Sequence, residues 1–207
     1  DILRAERIAN EFKRHFIYVT AGDEYAIVDA LKPLNPKLVV PISFPKPVDV
    51  SDPYVAKNVS IQELKHWEAA PYNFKILTDA GISTAITSQG LPLADFWKTI
   101  RKLISIGTSP SSILAALTTT PASFLGLDSM VGTIDATKLA SFNVFSKDPF
   151  VYESTLLESW SLGNCLTLQS ANLVNTLGTY SLNLKGQRFE MKVSGENQKP
   201  KVSLIEY

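Results

Sequence analysis

ALTTTPASFLGL, residues 116–127, is followed after three residues by VGTIDATKLASFNVFSKDP, residues 131–149. The first stretch closes a run of helix-forming sequence. Ser109-Pro110 opens a helix that continues to about Thr119, a further short helix is expected over 122–125, and Gly126 supplies the stop. Beyond Gly126 the pattern becomes β. Short runs at 140–145, 156–161, 165–168, 179–184, 188–193 and 201–205 are punctuated by Gly163-Asn164, Lys185-Gly186 and Gly195-Glu196. The chain is thus expected to divide near residue 127 into a helix-bearing part and an all-β part.

Toward the N-terminus, helix and strand alternate. Residues 1–14 form an amphipathic helix with Ile2, Ala5, Ile8, Ala9, Phe12 and Phe16 on one side. A β-rich run at 15–20 ends near Gly22, and 24–31 reads as a helix closed by Pro33 and Pro36. KLVVPIS, residues 37–43, is nearly continuous apolar sequence, as a strand buried on both faces of a parallel sheet requires. A long loop over 45–60 leads to Ser60-Ile-Gln-Glu63, which has the Ser-x-x-Glu form of a helix capping box. Helices are expected over 72–80 and 93–106, each stopped by a glycine, with a strand at 82–87 between them. This alternation fits a piece of a (β/α)8 barrel or of an open doubly wound sheet. No Gly-x-Gly-x-x-Gly follows a strand, so a dinucleotide-binding version has no support.

The 207 residues are 45% hydrophobic and 19% charged, an ordinary globular composition. Twenty basic and twenty acidic residues cancel, which gives no electrostatic case for nucleic acid or an anionic membrane surface. No apolar run approaches the roughly 18–20 residues that span a bilayer. The lone Cys165 rules out an intramolecular disulfide and a cysteine-rich metal cluster; it reads as a small buried residue in a strand, equally at home in cytoplasm or periplasm. Asp1 opens directly into a helix with no initiator Met, so the sequence is expected to begin at an internal position of a longer protein.

The quoted stretches carry a family resemblance. Thr118-Thr119-Thr120-Pro121-Ala122-Ser123-Phe124-Leu125-Gly126 matches the Thr-x-x-Pro-Ala-x-x-Leu-Gly phrase that finishes the barrel in the imidazolonepropionase-like branch of the amidohydrolase superfamily. Residues 131–141 resemble the Val-Gly-Ser-Ile-x-x-Gly-Lys-x-Ala-Asp phrase that leads into its small β-domain, with Thr137 where Gly is usual and Ser141 where Asp is usual. Residues 1–12 resemble the helix after the fifth barrel strand, 18–25 the sixth-strand region, and 80–88 the approach to the eighth strand. The implied architecture is the C-terminal half of a (β/α)8 TIM-type barrel over 1–127, about strands six to eight with their helices. Composite β-sandwich strands follow over 128–170, and extra strands over 171–207 open a possible further domain.

The family hydrolyses C–N bonds of cyclic or linear amides. One or two divalent metals, Zn or another, lower the pKa of a bound water that a strand-eight Asp orients and deprotonates. Carried over residue by residue, that site is missing here. Ala21 stands at the position of a sixth-strand His ligand, and Ser88 or Gln89 at the position of the catalytic Asp. Relatives exist in which a degenerate barrel precedes an intact one, and this chain is similar to the degenerate kind.

Among the remaining candidates, His15 falls at the start of a strand, away from the catalytic face. His66, beside Trp67 and Glu68, lies on the catalytic side, where it contacts a ligand or packs on Trp67. Asp23-Glu24 adjoin a strand end suited to acid–base work, although a carboxylate there more often serves a helix cap or dipole. Asp49 and Asp52 lie near the same face without metal-ligand spacing to His66. Two readings stay open. In one, the chain is part of a metal-dependent hydrolase whose ligands lie upstream. In the other, it is a non-catalytic scaffold or binding domain attached to an active hydrolase. A half-barrel exposes strand edges and apolar faces, so the partner expected is the N-terminal remainder of the same protein or a second copy.

Overall fold

The computed structural model describes residues 1–49, 51, 53–169, 176–184, 186–196 and 199–206. The expected boundary at 170–171 and the candidate Asp52 lie outside them.

The chain opens with α1 (Ile2–Glu11), which leads into β1 (Ile17–Val19). The segment read as one helix over 24–31 is a 3-10 turn, Glu24–Ile27, joined to a single α-turn, α2 (Val28–Leu31). β2 (Lys37–Pro41) follows, and the loop expected over 45–60 contains α3 (Pro53–Asn58). Next come α4 (Ile61–Ala69), α5 (Asn73–Asp79) and β3 (Thr84–Thr87). The helical run closes with α6 (Phe96–Ser105), α7 (Pro110–Leu117) and α8 (Thr119–Phe124).

The three strands form one parallel sheet in the order β1-β2-β3, with Val19 opposite Val39 and Val39 opposite Ala85. Parallel neighbours need long crossovers, and the helices supply them. Helices cover one face of the sheet. Leu38 and Val40 pack there with Leu31, Leu77 and Ile82, while Ile42 joins Phe74, Ile100, Leu103, Ile113 and Ala116. Leu38, Leu77, Ile100 and Leu103 are fully buried, and each contributes about 1.5–3 kcal/mol of apolar burial. The other face is less covered, with Val19 63% exposed. The apolar stripe of α1 is also only partly used: Ala9 is buried, but Ile8 and Phe12 are 52% and 65% exposed.

Beyond α8 the chain turns sharply. Gly126 takes φ +68°, and the Leu127 N–H reaches back to the Ala122 carbonyl at 2.8 Å, closing the helix. Gly132, φ +97°, runs so close to α8 that a Cβ there would sit 3.0 Å from Ala122 Cβ and 3.3 Å from the Thr118 carbonyl oxygen. That explains the glycine of the 131–141 phrase. Thr137 has no positive φ, so nothing local requires a glycine at that position. Ser141 accepts a hydrogen bond from the Leu162 N–H at 3.1 Å and so braces the turn at Leu162, which has φ +50°.

β4 (Phe142–Phe145), β5 (Leu156–Ser161) and β6 (Asn164–Thr167) form an antiparallel sheet. It docks on α6 through the Trp97 and Phe145 rings, edge to face at 5.0 Å, and through Phe150 against the core. β6 is an edge strand, and Cys165 on it is exposed; the buried cysteine expected from sequence is not observed. β7 (Gly178–Leu184), β8 (Gln187–Glu196) and β9 (Lys199–Glu206) make a third antiparallel sheet. Tyr180, Met191 and Leu204 share one row of it, with Leu204 61% exposed. No helix among the described residues is long and apolar enough to cross a membrane.

Candidate functional site

The C-terminal ends of three parallel strands meet along one edge of the first sheet. β1 runs into Thr20-Ala21-Gly22, β2 into Ile42-Ser43, and β3 into Ser88-Gln89-Gly90. The tips touch: a Cβ on Gly22 would lie 3.7 Å from Pro41 Cγ, and one on Gly90 would lie 3.1 Å from Ser43 Oγ.

Ala21 is exposed at the β1 tip, and its N–H points away from solvent. Glu24 is 2% exposed, and its Oε1 accepts from the Ala21 and Gly22 N–H groups at 3.1 and 3.2 Å. Its Oε2 accepts from Asn73 Nδ2 at 2.7 Å, and Asn73 Oδ1 in turn accepts from the Tyr25 N–H at 2.7 Å. Glu24 is therefore neither a helix cap nor a group presented to solvent; it clamps the loop after β1 onto α5. Asn73 is the partner that sequence reading missed. The available signal was a polar residue on the same buried helix face as Phe74 and Leu77.

Next to this clamp lies an open cleft of about 880 Å³, walled by the 21–26 loop and the first turns of α4. His66 lines it, and its ring partner is Tyr25, not Trp67. The two rings stack at 6.0 Å with an 18° interplanar angle, and Tyr25 Oη lies 3.0 Å from His66 Nδ1. Burial, aided by the Asp23 charge, raises the Tyr25 phenol above its ordinary pKa, so the hydroxyl keeps its proton. α4 starts with the capping box read from sequence. Glu63 N–H donates to Ser60 Oγ at 3.1 Å, and Glu63 Oε2 accepts from the Ser60 N–H at 2.8 Å. The Ser60 donors hold the Glu63 carboxyl below its usual range.

Ser88 is half-buried and Gln89 exposed. The Gln89 N–H donates to Thr87 Oγ1 at 3.2 Å, and the Ser88 carbonyl accepts from Leu91. Asp49 accepts from the Ser51 N–H and hydroxyl, and the hydroxyl bond chiefly holds its carboxyl low. His15 is exposed, beside the opposite end of β1. Among the described residues no three His, Cys, Asp or Glu side chains gather as metal ligands. A methyl group at Ala21, a hydroxyl or amide at Ser88 and Gln89, and an inward-bonded Glu24 do not fit a tightly held first-row divalent ion.

Parallel strands with helical crossovers and a loop-built cleft at their C-terminal tips define an α/β protein of the kind that places sites at strand ends. A family model described as "Amidohydrolase family" matches residues 51–178. This chain belongs to the amidohydrolase family. Among solved structures, an amidohydrolase from Thermotoga maritima MSB8 aligns with a TM-score of 0.62 at 23% identity, over 80% of this chain and 40% of that one. An uncharacterized protein aligns with a TM-score of 0.56 at 14% identity, over 80% of this chain and 44% of that one. A prolidase complexed with N-methylphosphonate-L-proline aligns with a TM-score of 0.50 at 13% identity, over 70% of this chain and 38% of that one. The chain thus spans well under half the length of these relatives, and at such identities the likeness speaks for fold alone. No curated protein matches.

Proposed function

We propose that this chain is an amidohydrolase-family domain of the imidazolonepropionase-like branch whose own centre is degenerate, and that it acts as a scaffold and binding part. The protein it belongs to hydrolyses C–N bonds of cyclic or linear amides with a metal-activated water, and the groups holding that metal lie outside this chain. The observation that carries this reading is the clamp on Ala21. At the sixth-strand ligand position there is a methyl group, and the adjacent carboxyl is turned inward onto backbone N–H groups. On this reading β1, β2 and β3 correspond to strands six to eight of a (β/α)8 barrel, 128–170 to sandwich strands and 171–207 to an added unit. The exposed Val19, Ile8 and Phe12 then mark where the remainder of the protein, or a second copy, covers the sheet and α1.

Zinc titration with elemental analysis tests the central point. The chain is expected to retain no stoichiometric divalent ion after desalting, while Ala21→His with Ser88→Asp gains measurable affinity. In the active parent protein, Ser88→Ala and Gln89→Ala are expected to leave amide hydrolysis within about twofold of its starting rate. One tightly bound ion in the unmodified chain, or a collapse of hydrolysis in either alanine variant, overturns the reading.

A further inference from the structure

Residues 61–79 form one helical run in three parts: α4, a 3-10 turn over Ala70–Tyr72, and α5. The Ala70 N–H still bonds back to the His66 carbonyl, but Pro71 has no N–H to offer the Trp67 carbonyl. The helix loses a bond and tightens there, and a 3-10 stretch inside a longer helix often marks a hinge. The two sides of the break are held very differently. α5 buries Asn73, Phe74 and Leu77, the latter two in the core. α4 buries none of its residues, and its Ile61, Leu64 and Trp67 are exposed. Tertiary anchoring by burial thus ends at Ala70, and a helix without it is free to move at low cost. Tyr25 bridges the break. Its N–H donates to Asn73 Oδ1 at 2.7 Å, just beyond the turn; its ring stacks on His66, just before the turn, with Oη 3.0 Å from Nδ1. The Asn73 end of this bridge is fixed, because Asn73 is itself bonded to the buried Glu24. The His66 end consists of one partly buried hydrogen bond and one ring contact.

We propose that α4 is a hinged arm that pivots about Ala70–Tyr72, and that the Tyr25–His66 pair is the latch holding it against the loop after β1. The first turns of α4 form one wall of the cleft, so pivoting changes its width. The opposite wall stays in place, because Glu24 clamps the Ala21 and Gly22 N–H groups. A latch of one hydrogen bond and one ring contact biases the arm without locking it, so both positions are populated. The device goes beyond the degenerate-centre reading and is independent of where the parent protein holds its metal.

The test measures distances between paired spin labels on cysteines introduced into the full chain, in a Cys165→Ser background. Labels at Lys32 and Glu68 report the arm against the body, labels at Ile61 and Glu68 the arm itself, and labels at Lys32 and Lys98 the body alone. The arm-to-body distances are expected to fall into two populations. Tyr25→Phe, which keeps the ring and removes the hydroxyl, is expected to raise the minor population roughly three- to tenfold, with the other two pairs unchanged. A single arm-to-body distance that Tyr25→Phe leaves unaltered overturns the proposal. So does a broadened Ile61–Glu68 distance, which means that α4 frays instead of pivoting, or a changed Lys32–Lys98 distance, which means that the body itself rearranges.

Discussion

Asn73 and Glu24, 49 positions apart, meet inside the protein through a 2.7 Å hydrogen bond from Asn73 Nδ2 to Glu24 Oε2. Every partner of this pair is fixed. Asn73 cannot flip its amide without losing the Tyr25 N–H, and both Glu24 oxygens face donors. Glu24→Gln therefore presents an NH2 to a donor in either orientation. A buried donor left unpaired costs about 1–3 kcal/mol. Urea unfolding should show a lower midpoint for Glu24→Gln of that size, with unchanged m-value. Asn73→Leu should match or exceed it, because the Tyr25 N–H loses its acceptor as well.

Glycines 126 and 132 separate backbone strain from crowding. Both have positive φ, but only at Gly132 does a neighbouring helix fill the space a Cβ would take. Gly126→Ala should cost about 1–2 kcal/mol from its left-handed backbone alone. Gly132→Ala adds overpacking against Ala122 and Thr118 and should cost about 2–4 kcal/mol. Thermal unfolding of the two variants side by side checks the difference.

Alkaline conditions should weaken the fold through Tyr18. Burial, and then the neighbouring Glu6 carboxylate, push its phenol from 10.0 up to about 12. The unfolded chain then releases this proton first. The stabilising contribution is full below pH 10 and is lost as pH rises to about 12. Unfolding midpoints should fall across that window, and Tyr18→Phe should fall less steeply.

Trp97 joins the helical part to the first antiparallel sheet through Phe145. Truncation to Ala removes that contact along with packing against the core, at a cost on the order of 3 kcal/mol. Near-UV circular dichroism should lose aromatic signal in step. Trp97→Phe should retain most of the stability, because a ring still fills the gap.

Local chemistry was legible in the sequence where the partners lie close along the chain. Ser60 and Glu63 sit three residues apart, and both of their expected capping bonds are present. The Gly126 stop is likewise a short-range event. The clamp was not legible, because Glu24 and Asn73 become neighbours only once α5 packs on the sheet, and no local pattern encodes that meeting. The exposure of Cys165 has the same origin. Its alternation reads as a strand, but only the sheet order reveals that β6 lies at an edge. The uncovered half of the α1 stripe shows the converse: periodicity predicts an apolar face without saying what lies against it.

Strand β2 takes backbone hydrogen bonds from both neighbours: Thr20 donates to the Val39 carbonyl, and β2 itself pairs along β3. Deuterium must wait for the whole helix-covered core to open before it enters there. Among the described residues, the ladder bonds of β7, β8 and β9 run between those three strands, so isotope can enter through smaller local openings. One polypeptide is thereby given two clocks, slow at its centre and fast near its far end.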